Sequence, residues 1–248
     1  MKKTILITTL ILLVFTNKSL AETKNVTRQN QSSEGTENFL TSVLGLLGGV
    51  YTSTAVHEFG HYNTAEHYGL ESNITLGIIK TNDGGNLSYY LGKTTYNSGS
   101  LTNQIDDGSQ IKAELALAGM ESSRKMYSII NENIQRGTHN DRFSSLIALI
   151  SRTEFSRYAL VNGLKKNPDQ LDDIEAYSTN SGVGKNFIYS AAILDILFSW
   201  DEINFHAKRV LGKNPAIPKH KEIFGIEASP EVFISSNSGM TIGFTLKW

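Results

Sequence analysis

The chain has 248 residues, a formal net charge of −1, six histidines and no cysteine. That length suits one sizeable domain or a domain with an appendage. The absence of cysteine excludes disulfides, a thiol nucleophile and a cysteine-linked lipid anchor. Near-balanced charge without a Lys/Arg cluster gives no basis for nucleic-acid binding.

Met1-Lys2-Lys3, an apolar run from Thr4 to Thr16 and the small-residue exit Ser19-Leu20-Ala21 predict a secretory signal peptide over 1–21. Its removal leaves 20 basic against 24 acidic residues, a net charge of −4. The expected destination is the periplasm or the exterior. Residues 22–37 are rich in Asn, Gln, Ser and Thr and read as a flexible leader. Phe39 to Val56 is uncharged and rich in small residues, which suits either a buried core helix broken at Gly48-Gly49 or entry into a bilayer. Membrane association therefore stays among the expectations.

That stretch leads into Ala55-Val56-His57-Glu58-Phe59-Gly60-His61, an H-E-x-x-H signature. In a helix a spacing of four puts His57 and His61 on one face, where both can hold a single zinc ion. Glu58 lies beside that face as a candidate general base. The helix is expected to continue through His67 and Tyr68 and to stop at Gly69.

Asn73 to Lys80 and Leu87 to Leu91 are β-prone runs flanking the turn sequence Asn82-Asp83-Gly84-Gly85-Asn86, so a hairpin is expected. Its free edge could take an extended peptide. Thr94 to Ser109 is polar and reads as a loop, Gln110 to Ile134 as a helix, and Arg142 to about Leu160 as another. Asn186 to Leu211 reads as one long helix or two short ones, and Glu231 to Trp248 as two strands around Ser235 to Gly239. The expected class is mainly α with a small β-hairpin (α+β). The expected divisions are a metallopeptidase domain over 38–164 and a C-terminal segment, 165–248, packed on it.

A catalytic zinc usually has three protein ligands and an open position. His67 sits at the metzincin distance from His57, but Thr64 replaces the glycine that would turn the chain back, and a continuing helix carries His67 about 15 Å along the axis. Glu121, with Glu114 two turns before it, could be a distant carboxylate ligand. Asp141 reads locally as a helix N-cap.

From Val50 to Leu160 the order of elements resembles the peptidase domain of FtsH-type zinc metalloproteases. Thr54 to His61 resembles that family's metal helix, and Asn73 to Leu91 falls where it has substrate-side strands. Ile111 to Arg124, centred on Leu117-Ala118-Gly119, resembles its following helix. Gly137-Thr138-His139-Asn140-Asp141 is similar to its Thr-Gly-Ala-x-Asn-Asp stretch, whose last aspartate is the third zinc ligand. The resemblance thus implies a zincin-like fold, a zinc endopeptidase and a ligand set of His57, His61 and Asp141; the residues themselves leave Glu121 and His67 as alternative third ligands, and the alternative functions are a catalytically inactive zincin-like envelope binding protein or an intramembrane zinc protease. Phe59 departs from the family's small residue, and no ATPase precedes the region. Gly182-Val183-Gly184-Lys185 is not a phosphate loop, since Asn186 follows the lysine and the first glycine is missing. Without an ATP-driven motor the implied substrates are unfolded or flexible polypeptides.

Overall fold

The structure is a computed structural model and describes residues 32–83, 86–97, 108–138, 142–165, 172–218, 221–223, 226–235 and 239–247. The stretch read as an export signal, 1–21, lies outside them. The architecture is mainly helical with a two-stranded hairpin and a further three-stranded sheet.

Helix α1, Ser32–His67, is continuous through the H-E-x-x-H signature. It begins inside the stretch read as leader, where Ser32, Ser33 and Glu34 are residue types that favour a first helical turn. It ends as expected at Gly69, whose φ of 68° is left-handed. The Gly69 amide donates to the Glu66 carbonyl and the Leu70 amide to the Ala65 carbonyl, both at 2.9 Å, so a Schellman closure seals the helix with Leu70 packed beside Ala65.

The expected break at Gly48-Gly49 does not occur. Those glycines make room for the neighbouring helix instead: a Cβ at Gly49 would lie 2.8 Å from Leu146 Cδ2, and one at Gly48 3.3 Å from Phe143 Cε2. Leu44, Leu47 and Tyr51 face outward along the same half of α1. Among the described residues no helix is long and apolar enough to cross a membrane.

Strands β1, Ser72–Asp83, and β2, Asn86–Tyr96, form the expected antiparallel hairpin, closing at Asp83↔Asn86. β2 reaches further than expected, because Thr94, Thr95 and Tyr96 pair with Ile74, Asn73 and Ser72. These residues are polar in composition but β-prone in shape. The register shifts between Leu76 and Ile79, where Gly77 has φ 129°, and this bulge lies next to the point where β2 crosses α1.

Helices α2, Gly108–Gln135, and α3, Arg142–Leu164, follow, then the short α4, Asp173–Ser181. The region Asn186 to Leu211 resolves into two helices, α5, Lys185–Phe198, and α6, Trp200–Val210, separated at Ser199. Strands β3, Lys221–Ile223, β4, Ile226–Ser235, and β5, Gly239–Lys247, make an antiparallel sheet in the order β3-β4-β5.

The core lies between α2, α3, α4 and α5. Ala113, Ala116, Leu117 and Met120 of α2 meet Ala159 of α3, Ile174 and Tyr177 of α4, and Ile188 and Ala192 of α5. Residues on both sides of position 164 therefore share one core. A buried polar knot adds direction to this packing: Asp195 accepts from Arg152 at 2.9 Å and Ser156 at 2.6 Å, while Arg152 also reaches Glu202 at 2.9 Å. Burial of that arginine is sustained by its two carboxylates, without which an isolated charge would cost several kcal/mol.

Candidate metal centre

The centre is built where α1 crosses α2. A Cβ at Gly60 would lie 2.3 Å from the Ala118 carbonyl oxygen, so only glycine lets the two backbones meet there. One turn earlier on α1 the His57 ring lies over Gly119, with its atoms only 2.5 to 2.6 Å from where a Cβ would stand. One turn earlier on α2 the Leu115 carbonyl faces His61 Nδ1 at 2.6 Å. The small-residue run Ala116-Leu117-Ala118-Gly119 thus seats both imidazoles, and both histidines are buried.

The third group comes from α4. Asp172 caps that helix, accepting from the Ile174 amide at 3.1 Å, and is itself held to the end of α3 by Asn162 at 3.0 Å and Lys165 at 2.5 Å. Asp173, the first helical residue, is thereby fixed against α1. Its Oδ2 lies 3.0 Å from His57 Nε2 and 3.5 Å from His61 Nε2, and the two Nε2 atoms are 3.0 Å apart.

The outer sides of the rings settle what meets in the middle. His61 Nδ1 faces a carbonyl and His57 Nδ1 faces the Glu154 carboxylate, both acceptors only, so in neutral imidazoles each Nδ1 carries the hydrogen. Two Nε2 lone pairs and a carboxylate oxygen then converge within hydrogen-bonding distance with no donor among them. Three acceptors so placed repel unless a cation sits between them. His57, His61 and Asp173 can accordingly hold a metal ion.

The protonation balance points the same way. Burial works to lower the His57 pKa, yet the interaction with Tyr158, the charge of Glu154 and the Asp173 hydrogen bond lift it well above its ordinary value. Burial pushes the Asp173 carboxyl up, but the facing histidines outweigh it and hold the group below the usual carboxylate range. Tyr158 stacks on His57 with ring centroids 5.2 Å apart.

No family model, no curated protein and no solved structure matches this chain.

Of the residues singled out from the sequence, His57 and His61 come together as the spacing requires. Glu58 is buried under β2, with Oε2 accepting from Thr94 Oγ1 at 2.8 Å. Gly92 leaves room for it, since a Cβ there would be 2.7 Å from Glu58 Cγ. Asp141 lies outside the described residues. Glu121 is exposed, and Glu114 bonds Tyr68 and Gln110 near the C-terminal end of α1. His67 is exposed, its ring against Tyr68.

Asp173 was not among the expected ligands. A local signal for its helix exists: Asp172-Asp173-Ile174-Glu175 places an N-cap aspartate three residues before a glutamate, the pattern of a capping box. Nothing local says that this helix start points at His57, 116 residues earlier.

Proposed function

We propose that this chain is a zinc-dependent metallopeptidase in which His57, His61 and Asp173 hold the ion and Glu58 is the general base. The observation that carries the proposal is the convergence of three electron-pair donors on a helix whose next residue after the first ligand is a buried glutamate. Tetrahedral zinc with bonds of about 2.0–2.2 Å needs ligand atoms about 3.3–3.6 Å apart. The edges here, 3.0, 3.0 and 3.5 Å, come close to that spacing, so these three atoms would hold the ion. Two imidazoles and one carboxylate also make a donor set suited to zinc in hydrolytic sites.

Zinc bound there supplies Lewis acidity, polarising a carbonyl and making water acidic near neutral pH. Glu58 takes the proton of the attacking water and returns it to the leaving amine. Thr94 donates to one carboxylate oxygen of Glu58 at 2.8 Å and so fixes the carboxylate under β2. The free edge of the hairpin offers backbone groups to an extended segment, so the substrates proposed are unfolded or flexible polypeptides. Export directed by residues 1–21 and kinship with FtsH-type peptidases belong to the same proposal.

A second reading is a metal centre that only fastens α4 to α1. It is favoured by the low exposure of His57 and Glu58, 3% and 8%. The experiment that separates the two measures zinc content and cleavage of fluorescein-labelled casein by wild type and Glu58→Gln. Zinc in both proteins and cleavage by wild type alone is the expected result. Zinc without cleavage in wild type would leave the fastening role, and cleavage by Glu58→Gln would remove Glu58 as base.

A further inference from the structure

Glu154 is 2% exposed, and its Oε2 has no hydrogen-bond partner. His57 Nδ1, also buried, has none either. These two atoms face each other at 3.4 Å, close enough for an ion pair but outside hydrogen-bond alignment. Two buried polar atoms without partners are costly, and a lone buried carboxylate is more so. Arg157, on the rim, approaches the other oxygen at only 3.6 Å. The packing of α3 therefore spends stability to keep a negative charge at the back of His57.

The arrangement is directional. Glu154 and Tyr158 are four residues apart on α3, so they share a face. Tyr158 lies on the plane of the His57 ring and Glu154 on its Nδ1 edge. One fixes the tilt of the ring and the other its rotation.

We infer that Glu154 is a positioning residue for the metal centre: its carboxylate, set against the Nδ1 edge of His57, holds the ring so that Nε2 points at Asp173 and His61. The inference rests on the metal reading given above. Two neutral imidazoles and one carboxylate leave a divalent ion with an uncompensated positive charge, and Glu154 sets a negative charge one imidazole away. Such outer carboxylates raise the basicity of the ligand and typically contribute 10- to 100-fold in metal affinity.

The test is zinc affinity by chelator competition on wild type, Glu154→Gln and Glu154→Leu, with thermal melts of each metal-free protein. Gln keeps the shape and an acceptor but loses the charge; Leu loses both. The expected dissociation constant rises about 10-fold for Gln and about 100-fold for Leu. The metal-free melting temperatures should fall by less than the affinity loss implies, since Asp173 still faces His57 at 3.0 Å when Glu154 is replaced. Zinc binding at wild-type affinity by both variants would overturn the role. So would an affinity loss matched by an equal loss of metal-free stability. Absence of zinc from wild type would overturn the metal reading itself, a separate outcome. If Leu fails to fold, the Gln variant alone decides.

Discussion

Replacing Gly119 by alanine should damage the centre without touching a ligand. The added Cβ would stand 2.5 Å from His57 Cε1 and Nε2 and 2.6 Å from Nδ1. Ordinary contacts between such atoms begin near 3.5 Å, so the ring must retreat by roughly 1 Å. Tyr158 is stacked on the His57 ring and limits that retreat. Overpacking of this kind costs about 1–3 kcal/mol.

The strain can appear in two places. If the ring stays, the fold bears it, and at about 2–4 °C per kcal/mol the melting temperature falls by roughly 2–12 °C. If the ring moves aside, ion binding must force it back, and the same 1–3 kcal/mol weakens affinity by about 5- to 150-fold. Gly45→Ala is the control: it also lies in a helix, but nothing stands within 4 Å of its added Cβ. That variant should gain about 0.5–1 kcal/mol from helix propensity and bind zinc unchanged. Chelator competition and thermal melts on both variants read the two costs separately. Wild-type affinity in Gly119→Ala, with a melting temperature raised as in Gly45→Ala, would refute the account of how His57 is seated.

Thr94→Val keeps the side-chain shape but removes the hydroxyl bonded to the Glu58 carboxylate at 2.8 Å, so zinc content should persist while kcat for casein falls more than KM changes. Thr94→Ser should restore turnover, and equal kcat in the valine variant would detach Thr94 from the chemistry. Burial, aided by Arg209, lowers the pKa of His206 to about 4, below the 6.5 of an exposed histidine. The unfolded chain therefore binds this proton more readily, and the stability contributed by neutral His206, up to about 3 kcal/mol, is full above pH 6.5 and lost as pH falls toward 4. Urea melts at pH 7 and pH 4.5 should show that His206→Leu loses less stability than wild type, and equal losses would contradict it.

Much of the centre was legible where the physics is local. A spacing of four on a helix brings His57 to His61 whatever surrounds them, and Gly69 ends that helix because glycine tolerates a left-handed φ. The hairpin is marked by its turn residues, although Thr94 to Tyr96 read as loop because threonine is polar by composition and β-prone by shape. The small side chains of α2 read as an apolar face, without revealing that Ala118 and Gly119 are small so that α1 can touch them. Asp173 and Glu154 were out of reach for a different reason. A charged residue on a helix ordinarily faces water, and only the packing of α3 and α4 against α1 turns these two inward. Gly48-Gly49 misled in the opposite sense: low helix propensity suggested a break, and close contact with Phe143 and Leu146 outweighed it.

Asp173 lies 116 residues beyond His57, and the chain contains no cysteine. An ion shared by these residues is therefore also a cross-link, joining the first described helix to the fourth across nearly half the chain. Closing a loop of about 100 residues restricts the unfolded chain by roughly 4–5 kcal/mol in the simplest polymer estimate. On the metal reading proposed above, supply of the ion would govern the lifetime of the folded protein as well as its chemistry. A chain that lost the ion would be loosened as a secreted protein is loosened by reduction of its disulfides.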